Sequence, residues 1–293
     1  MNFDYLLLAV AIVLFASVSV PEAESHGLFT DILADYVHEG SVDYKSLCTD
    51  ERLNRYIRQL AETNPDTIAS DEARLAFWIN AYNAYTLKII CDEYPVKSIN
   101  DLHFGGLIVG TVLKKTVWDK DLVEINNRKT TLNTIEHKII RPIFKDPRAH
   151  FALVCASKSC PPLRPEAFEA ENLDEQLDDQ GRIFLSDEFK NSFDIEKRQA
   201  HISKIFDWYS KDFGGRDEKV LEFLAGFLPE DIANKISSDP KSWKVRHKDY
   251  DWSLNDYKPE TKQPLPLKGG KLWTTMNQKI SSVLPRWESS GMS

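Results

Sequence analysis

The stretch EARLAFWINAYNAYTLKIICDEY, Glu72 to Tyr94, decides the architecture. Leu75, Trp78, Ile79, Tyr82, Thr86 and Ile89 recur at spacings that share one helical face, and most of the other positions are apolar too. The segment therefore predicts a central helix buried on most sides. Pro95 ends it, because proline cannot continue the hydrogen-bond ladder. In such a helix Asn80 and Asn83 are costly unless their amides find partners inside the core.

Working outward, His26 to Leu60 is helical in pattern, with a break at Gly40 and a short extended segment over Ser41 to Tyr44. Lys114 to Ile125 and Arg128 to Leu132 read as a β-hairpin closed by Asn126 and Asn127, residues that tolerate positive φ. Asn133 and Glu136 have the spacing of a capping box, opening a helix whose stripe is Ile139, Ile140 and Ile143. The run HFALVCA, His150 to Ala156, reads as a buried strand leading into the loop SKSCPP, Ser157 to Pro162. An acidic helix over Asn172 to Phe184 follows, then a strand over Phe193 to Ile202 and helices around Ile205 to Phe213 and Glu218 to Phe227. Lys244 to Leu254 alternates well enough for a last strand. The expected fold class is α+β: a small, mainly antiparallel sheet built from the hairpin and the His150, Phe193 and Lys244 strands, packed on the central helix and surrounding helices. A single domain is expected over 26–257. Pro259, Pro264, Pro266 and Gly269-Gly270 mark 258–293 as a tail peripheral to it.

With 42% hydrophobic and 28% charged residues in 293, the chain has the balance of a globular protein. Its net charge of −8 argues against nucleic acid as a partner, since that needs a basic stripe. The apolar run YLLLAVAIVLFASVSV, Tyr5 to Val20, falls short of the ~20 residues that span a bilayer. With the small residues after it, the run reads as a signal peptide over 1–23, cleaved after Ala23, giving a secreted protein with no transmembrane span in the mature chain. Because Asp4 precedes the run and no Lys or Arg does, an uncleaved signal anchor that tethers the protein to a membrane is the alternative. Scattered histidines and the lack of CxxC or HExxH imply no metal, and nothing implies a cofactor. Cys48, Cys91, Cys155 and Cys160 allow three full disulfide pairings, and the sequence does not choose among them.

Four motifs, LAFWINAYNAYTL, LNTIEHKIIR, HFALVCASKSCPPL and YDWSLN, in that order, resemble the family called domain of unknown function 547, from about Val42 to Asn255. The resemblance implies a shared domain and brings no established substrate. Some members are similar to papain-like or transglutaminase-like cysteine enzymes with a rearranged strand order, which suggests thiol chemistry. A cysteine nucleophile needs a lowered pKa and an imidazole that is itself oriented. Cys155 or Cys160 fits the first role, with Cys155 favoured by its place at the end of an apolar run. The resemblance carries His137 over as the base, with His150 behind it. Glu136, Asn80 or Asn83 would orient the imidazole or donate to an oxyanion.

Each residue also has a plainer reading. Cys155 is a small buried side chain, Cys160 a disulfide partner and Glu136 a helix cap. Asn80 and Asn83 are core amides, Asp251 and Asn255 turn residues, and Trp78, Trp118, Trp208 and Trp252 packing. Two functions follow: a secreted cysteine-dependent hydrolase or acyl transferase acting on a peptide or acyl substrate, or a non-catalytic extracellular binding or structural module.

Overall fold

The central helix forms as its sequence dictates. In the computed structural model, which describes residues 26–103 and 116–258, it is the fourth of four helices that open the fold. These are α1 (Gly27–Tyr36), α2 (Tyr44–Leu47), α3 (Glu51–Glu62) and α4 (Asp71–Glu93). Ser70 caps α4 by accepting from the Ala73 N–H, and Asp71 and Glu72 in its first turn complement the helix dipole. From Leu75 to Ile90 nearly every α4 side chain is buried, against α3 on one side and the helix that contains Glu136 on another. Cys48 and Cys91 form a disulfide joining the end of α2 to the end of α4. Its loop of 43 residues gives about 4 kcal/mol of stabilisation in the chain-entropy account.

The α+β class holds, but the strands do not join into one sheet. β1 (Val37–His38) pairs with β2 (Ser41–Val42) across a turn in which Glu39 and Gly40 both have positive φ. β3 (Val123–Ile125) and β4 (Arg128–Thr130) make the expected hairpin, with Asn126 at φ 52° and Asn127 at φ 54°. That hairpin is shorter than its sequence suggests, because Val117–Asp119 winds into a 3₁₀ turn. Phe193 to Ile202 is two strands rather than one: β5 (Ser192–Asp194) runs antiparallel to β6 (Gln199–Ile202). β7 (Lys244–His247) then adds parallel to β6. The reading of His150 to Ala156 as a strand is corrected: Ala149–Ala152 is one helical turn, begun by Pro147 accepting from the His150 N–H. A short apolar run fits a buried turn as well as a buried strand.

The helix after the hairpin also departs from expectation. Its cap is Thr131, which accepts from the Thr134 N–H, while Asn133 donates instead to Asp119. No Asn133–Glu136 capping box forms. Ile135–Phe144 is wound as a π-helix around Pro142, which has no N–H to donate.

Two apolar clusters result. One gathers α1 to α4, the hairpin and Leu173 and Leu177 of the acidic helix Leu173–Ser186. The other gathers Phe151, Phe184, Phe206, Phe213, Leu221 and Trp243 about the three-stranded sheet and the helices Asp217–Ala225 and Glu230–Ser238. The segment around His150 stitches them: Phe151 belongs to the second cluster, Ala152, Leu153 and Val154 to the first. The described residues up to Tyr257 form one compact unit. Among the described residues no helix is long and apolar enough to cross a membrane. The run Tyr5 to Val20, the start of the expected hairpin at Lys114 and the tail after Lys258 lie outside the described residues.

A cavity of about 260 Å³ beside the start of α4 is lined by His26, Ser70 and Glu169 among others. Burial, then the nearby Glu171, raise the Glu169 carboxyl from 4.5 to about 7. The folded chain thus holds a proton there that the unfolded chain has lost, so this group's contribution declines as pH rises from about 4.5 through 7. Glu169→Gln should therefore gain about 1 kcal/mol relative to the parent at pH 8 and nothing at pH 4.5, allowing for solvent screening. Paired urea titrations at the two pH values check this; an equal difference at both would refute it.

Candidate functional site

Between the two clusters lies a cavity of about 300 Å³ whose walls include Glu136, His137, His150, Cys155 and Cys160. The backbone that carries the cysteines is set by two devices. The first is Asn83 of α4, whose amide donates to Ala152 O (2.9 Å) and accepts from the Val154 N–H (3.0 Å). The second is a turn at Ala156, which takes φ 57°, a left-handed conformation that costs a non-glycine residue about 1–3 kcal/mol. This reversal brings Ser157 back onto the Cys155 sulfur, with Oγ 3.1 Å from Sγ. The segment after Asp249 braces the loop: Lys158 N–H donates to Ser253 O, Ser159 N–H to Asp251 O, Asn255 N–H to Ala156 O, and Asp251 N–H to Ser159 Oγ. The motifs SKSCPP and YDWSLN are thus two sides of one structure.

Cys155 and Cys160 are free thiols in unlike settings. Cys155 is half-buried, and its Sγ lies 3.1 Å from Ser157 Oγ and 3.2 Å from the Tyr250 hydroxyl. Burial raises its pKa, but hydrogen bonding to Cys160, Ser157 and Tyr250 outweighs that and brings it down from 9.0 to about 7. Cys160 is buried; its Sγ accepts the Cys155 N–H at 2.9 Å and lies 3.8 Å from Leu153 O. Burial, reinforced by Cys155, pushes the Cys160 thiol well above its ordinary value.

The two imidazoles are held differently. His137 Nδ1 lies 2.7 Å from Arg141 Nη1, and a guanidinium only donates, so Nδ1 is the acceptor and is occupied. Glu136 does not orient this ring: His137 Nδ1 is 4.0 Å from its carboxylate, which accepts from Tyr82 at 3.4 Å and from Tyr209. His150 Nε2 meets Asp212 Oδ2 at 2.7 Å, and a carboxylate partner fixes the proton on Nε2. Its Nδ1 has no hydrogen-bond partner among the described residues. Arg141 grips Asp212 with two further bonds of 2.6 and 3.0 Å while its guanidinium lies 4.9 Å over the Tyr209 ring. His150 and Arg141 hold the Asp212 carboxyl well below the usual carboxylate range. Neither imidazole hydrogen-bonds to either sulfur.

Asn80 and Asn83 do not line the cavity. Asn80 repeats the two-bond clamp on Phe168, donating to its carbonyl (2.7 Å) and accepting from its N–H (2.9 Å). Asp251 and Asn255 are turn and bracing residues, as read from the sequence: Asp251 accepts from the Ser253 N–H, and Asn255 joins Tyr44 to Gly40 O. Trp118, Trp208 and Trp252, read as packing, line the cavity. Sequence reasoning missed Asp212, Tyr209 and Tyr250. Only Tyr250 left a signal, as the first residue of the YDWSLN motif. Among the described residues no cluster of His, Cys, Asp and Glu could hold a metal ion.

Residues 67–185 match the family model described as "Protein of unknown function, DUF547". This stretch is a DUF547 domain. It takes in α4, the π-helix, His150 and both free cysteines, while Tyr250, which lines the cavity, and Asp212, which holds His150, come from beyond its end. No curated protein and no solved structure matches the chain.

Proposed function

We propose that this protein is an exported cysteine-dependent hydrolase or acyl transferase, with Cys155 as its nucleophile and the His150–Asp212 pair as its proton carrier. The observation that carries the reading is the cavity-lining Cys155 sulfur, hydrogen-bonded to Ser157 and Tyr250 and titrating near 7, so that a large fraction is thiolate at neutral pH. The thiolate attacks a carbonyl carbon, forming a C–S bond and an oxyanion. The thiol's proton, held on His150 Nδ1, passes to the leaving amine or alkoxide as its bond to carbon breaks. Water or a second nucleophile then takes the acyl group from sulfur. His150 replaces His137 as the base because its Nδ1 has no hydrogen-bond partner among the described residues and Asp212 fixes its ring orientation and tautomer. Export is supported by the apolar run near the N-terminus and by the Cys48–Cys91 disulfide, a bond that persists in oxidising compartments.

The test is alkylation of the native protein by iodoacetamide from pH 5 to 9, with the modified residue mapped by mass spectrometry. Modification of Cys155 with a midpoint near 7, lost in Cys155→Ala, is the expected result. A folded protein whose Cys155 stays unmodified across that range, or reacts only with the midpoint of an ordinary thiol, would remove the nucleophile.

A further inference from the structure

One wall of the cavity is made of aromatic rings from three separate segments. Trp208 ends the short helix Ile205–Trp208, Tyr250 and Trp252 follow β7, and Trp118 comes from the 3₁₀ turn before β3. Trp208 lies 4.8 Å from Tyr250 and 5.7 Å from Trp252, the latter pair nearly parallel at 25°, and Tyr250 lies 4.6 Å from Trp252. Trp118 closes on Trp252 at 5.9 Å. This surface begins one hydrogen bond from the reacting atom, since the Tyr250 hydroxyl is 3.2 Å from Cys155 Sγ. Trp208 is 45% exposed, a large apolar surface left to water beside the nucleophile. The lining also includes polar side chains, among them Thr116, Asn133, Glu136 and His137.

The rings touch one another, so no slot between them could enclose a cation as an aromatic cage does. The rings are inclined to one another by 51–62° except for the Trp208–Trp252 pair, and what they leave open is the exposed face of Trp208. We propose that this face is a specificity subsite for an aromatic group next to the scissile carbonyl, stacked against Trp208 and its neighbours while the carbonyl rests at Cys155. The proposal rests on the reading of Cys155 as nucleophile and adds the substrate class to it. Ring stacking beyond simple area burial favours an aromatic over a saturated group by up to about tenfold.

The test compares chloroacetamides with N-phenyl, N-cyclohexyl and N-butyl groups, each second-order rate at Cys155 divided by its rate with free cysteine. The expected result is a phenyl preference of up to about tenfold that collapses in Trp208→Ala and persists in Phe189→Ala, an exposed aromatic outside the cavity lining. A second arm uses Cys155→Ala protein and follows tryptophan fluorescence as acetanilide or N-cyclohexylacetamide is added, so that binding is read without the thiol. Equal phenyl and cyclohexyl behaviour in both arms, or a preference unchanged by Trp208→Ala, overturns the subsite. Selective binding by Cys155→Ala protein alongside an unreactive Cys155 in the parent would uphold the subsite while removing the nucleophile.

Discussion

Replacing Gly40 by alanine is expected to lower stability by about 3 kcal/mol and the melting temperature by about 5–10 °C. Two costs add. Gly40 sits at φ +80° in the β1–β2 turn, where an L side chain loses about 1–2 kcal/mol. A Cβ there would also lie 2.3 Å from Pro162 Cβ and 3.0 Å from Pro162 Cα. A proline ring fused to backbone cannot swing aside, so the turn or the SKSCPP loop must move, and overpacking of this kind costs about 1–3 kcal/mol. Gly215 supplies the control, having the same φ of +80° but nothing within 4 Å of the position that an added methyl would take. Gly215→Ala should lose only the backbone share. Thermal melts of the two variants decide it: equal losses would mean that the contact with Pro162 carries no energy. Because Pro162 follows Cys160 by two residues, Gly40→Ala should also shift the pH midpoint for labelling Cys155.

What the sequence made legible was local. The α4 helix could be read because its periodicity and the Pro95 stop both act within a few residues, and Asn126-Asn127 marked the hairpin because positive φ is a property of the residue type. The run HFALVCA misled because burial leaves no periodicity to separate a strand from a helical turn. In the site, Cys155, Cys160, Glu136, His137 and His150 were found from residue type and motif, and they do line one cavity. Their roles were less legible. The choice between His137 and His150 depends on what each ring touches. Arg141, four residues after His137, is an i,i+4 partner that the motif itself contains, whereas Asp212 reaches His150 from 62 residues away. Tyr250 acts on a sulfur 95 residues earlier, an interaction that exists only once both apolar clusters have assembled.

Asn83→Leu is expected to cost about 3–5 kcal/mol, and to alter Cys155 as well as the core. The two side chains are similar in size, so the loss comes from the two backbone groups left behind, Ala152 C=O and Val154 N–H, both in residues at most 2% exposed. Each orphaned group costs about 1–3 kcal/mol, and water has little access to replace the amide. Asn80→Leu removes the same pair of bonds at Phe168 and should be similarly destabilising. The two differ in what they hold. Val154 precedes Cys155, whose N–H bonds to Cys160 and whose sulfur is set against Ser157 and Tyr250, so a slipped clamp disturbs every contact that lowers its pKa. Alkylation of the folded fraction should then show the Cys155 midpoint moving up from about 7 towards 9 in Asn83→Leu and staying in place in Asn80→Leu. A midpoint that moves equally in both would reduce Asn83 to a core amide like Asn80, whereas a shift confined to Asn83→Leu makes it the residue through which the central helix positions the thiol.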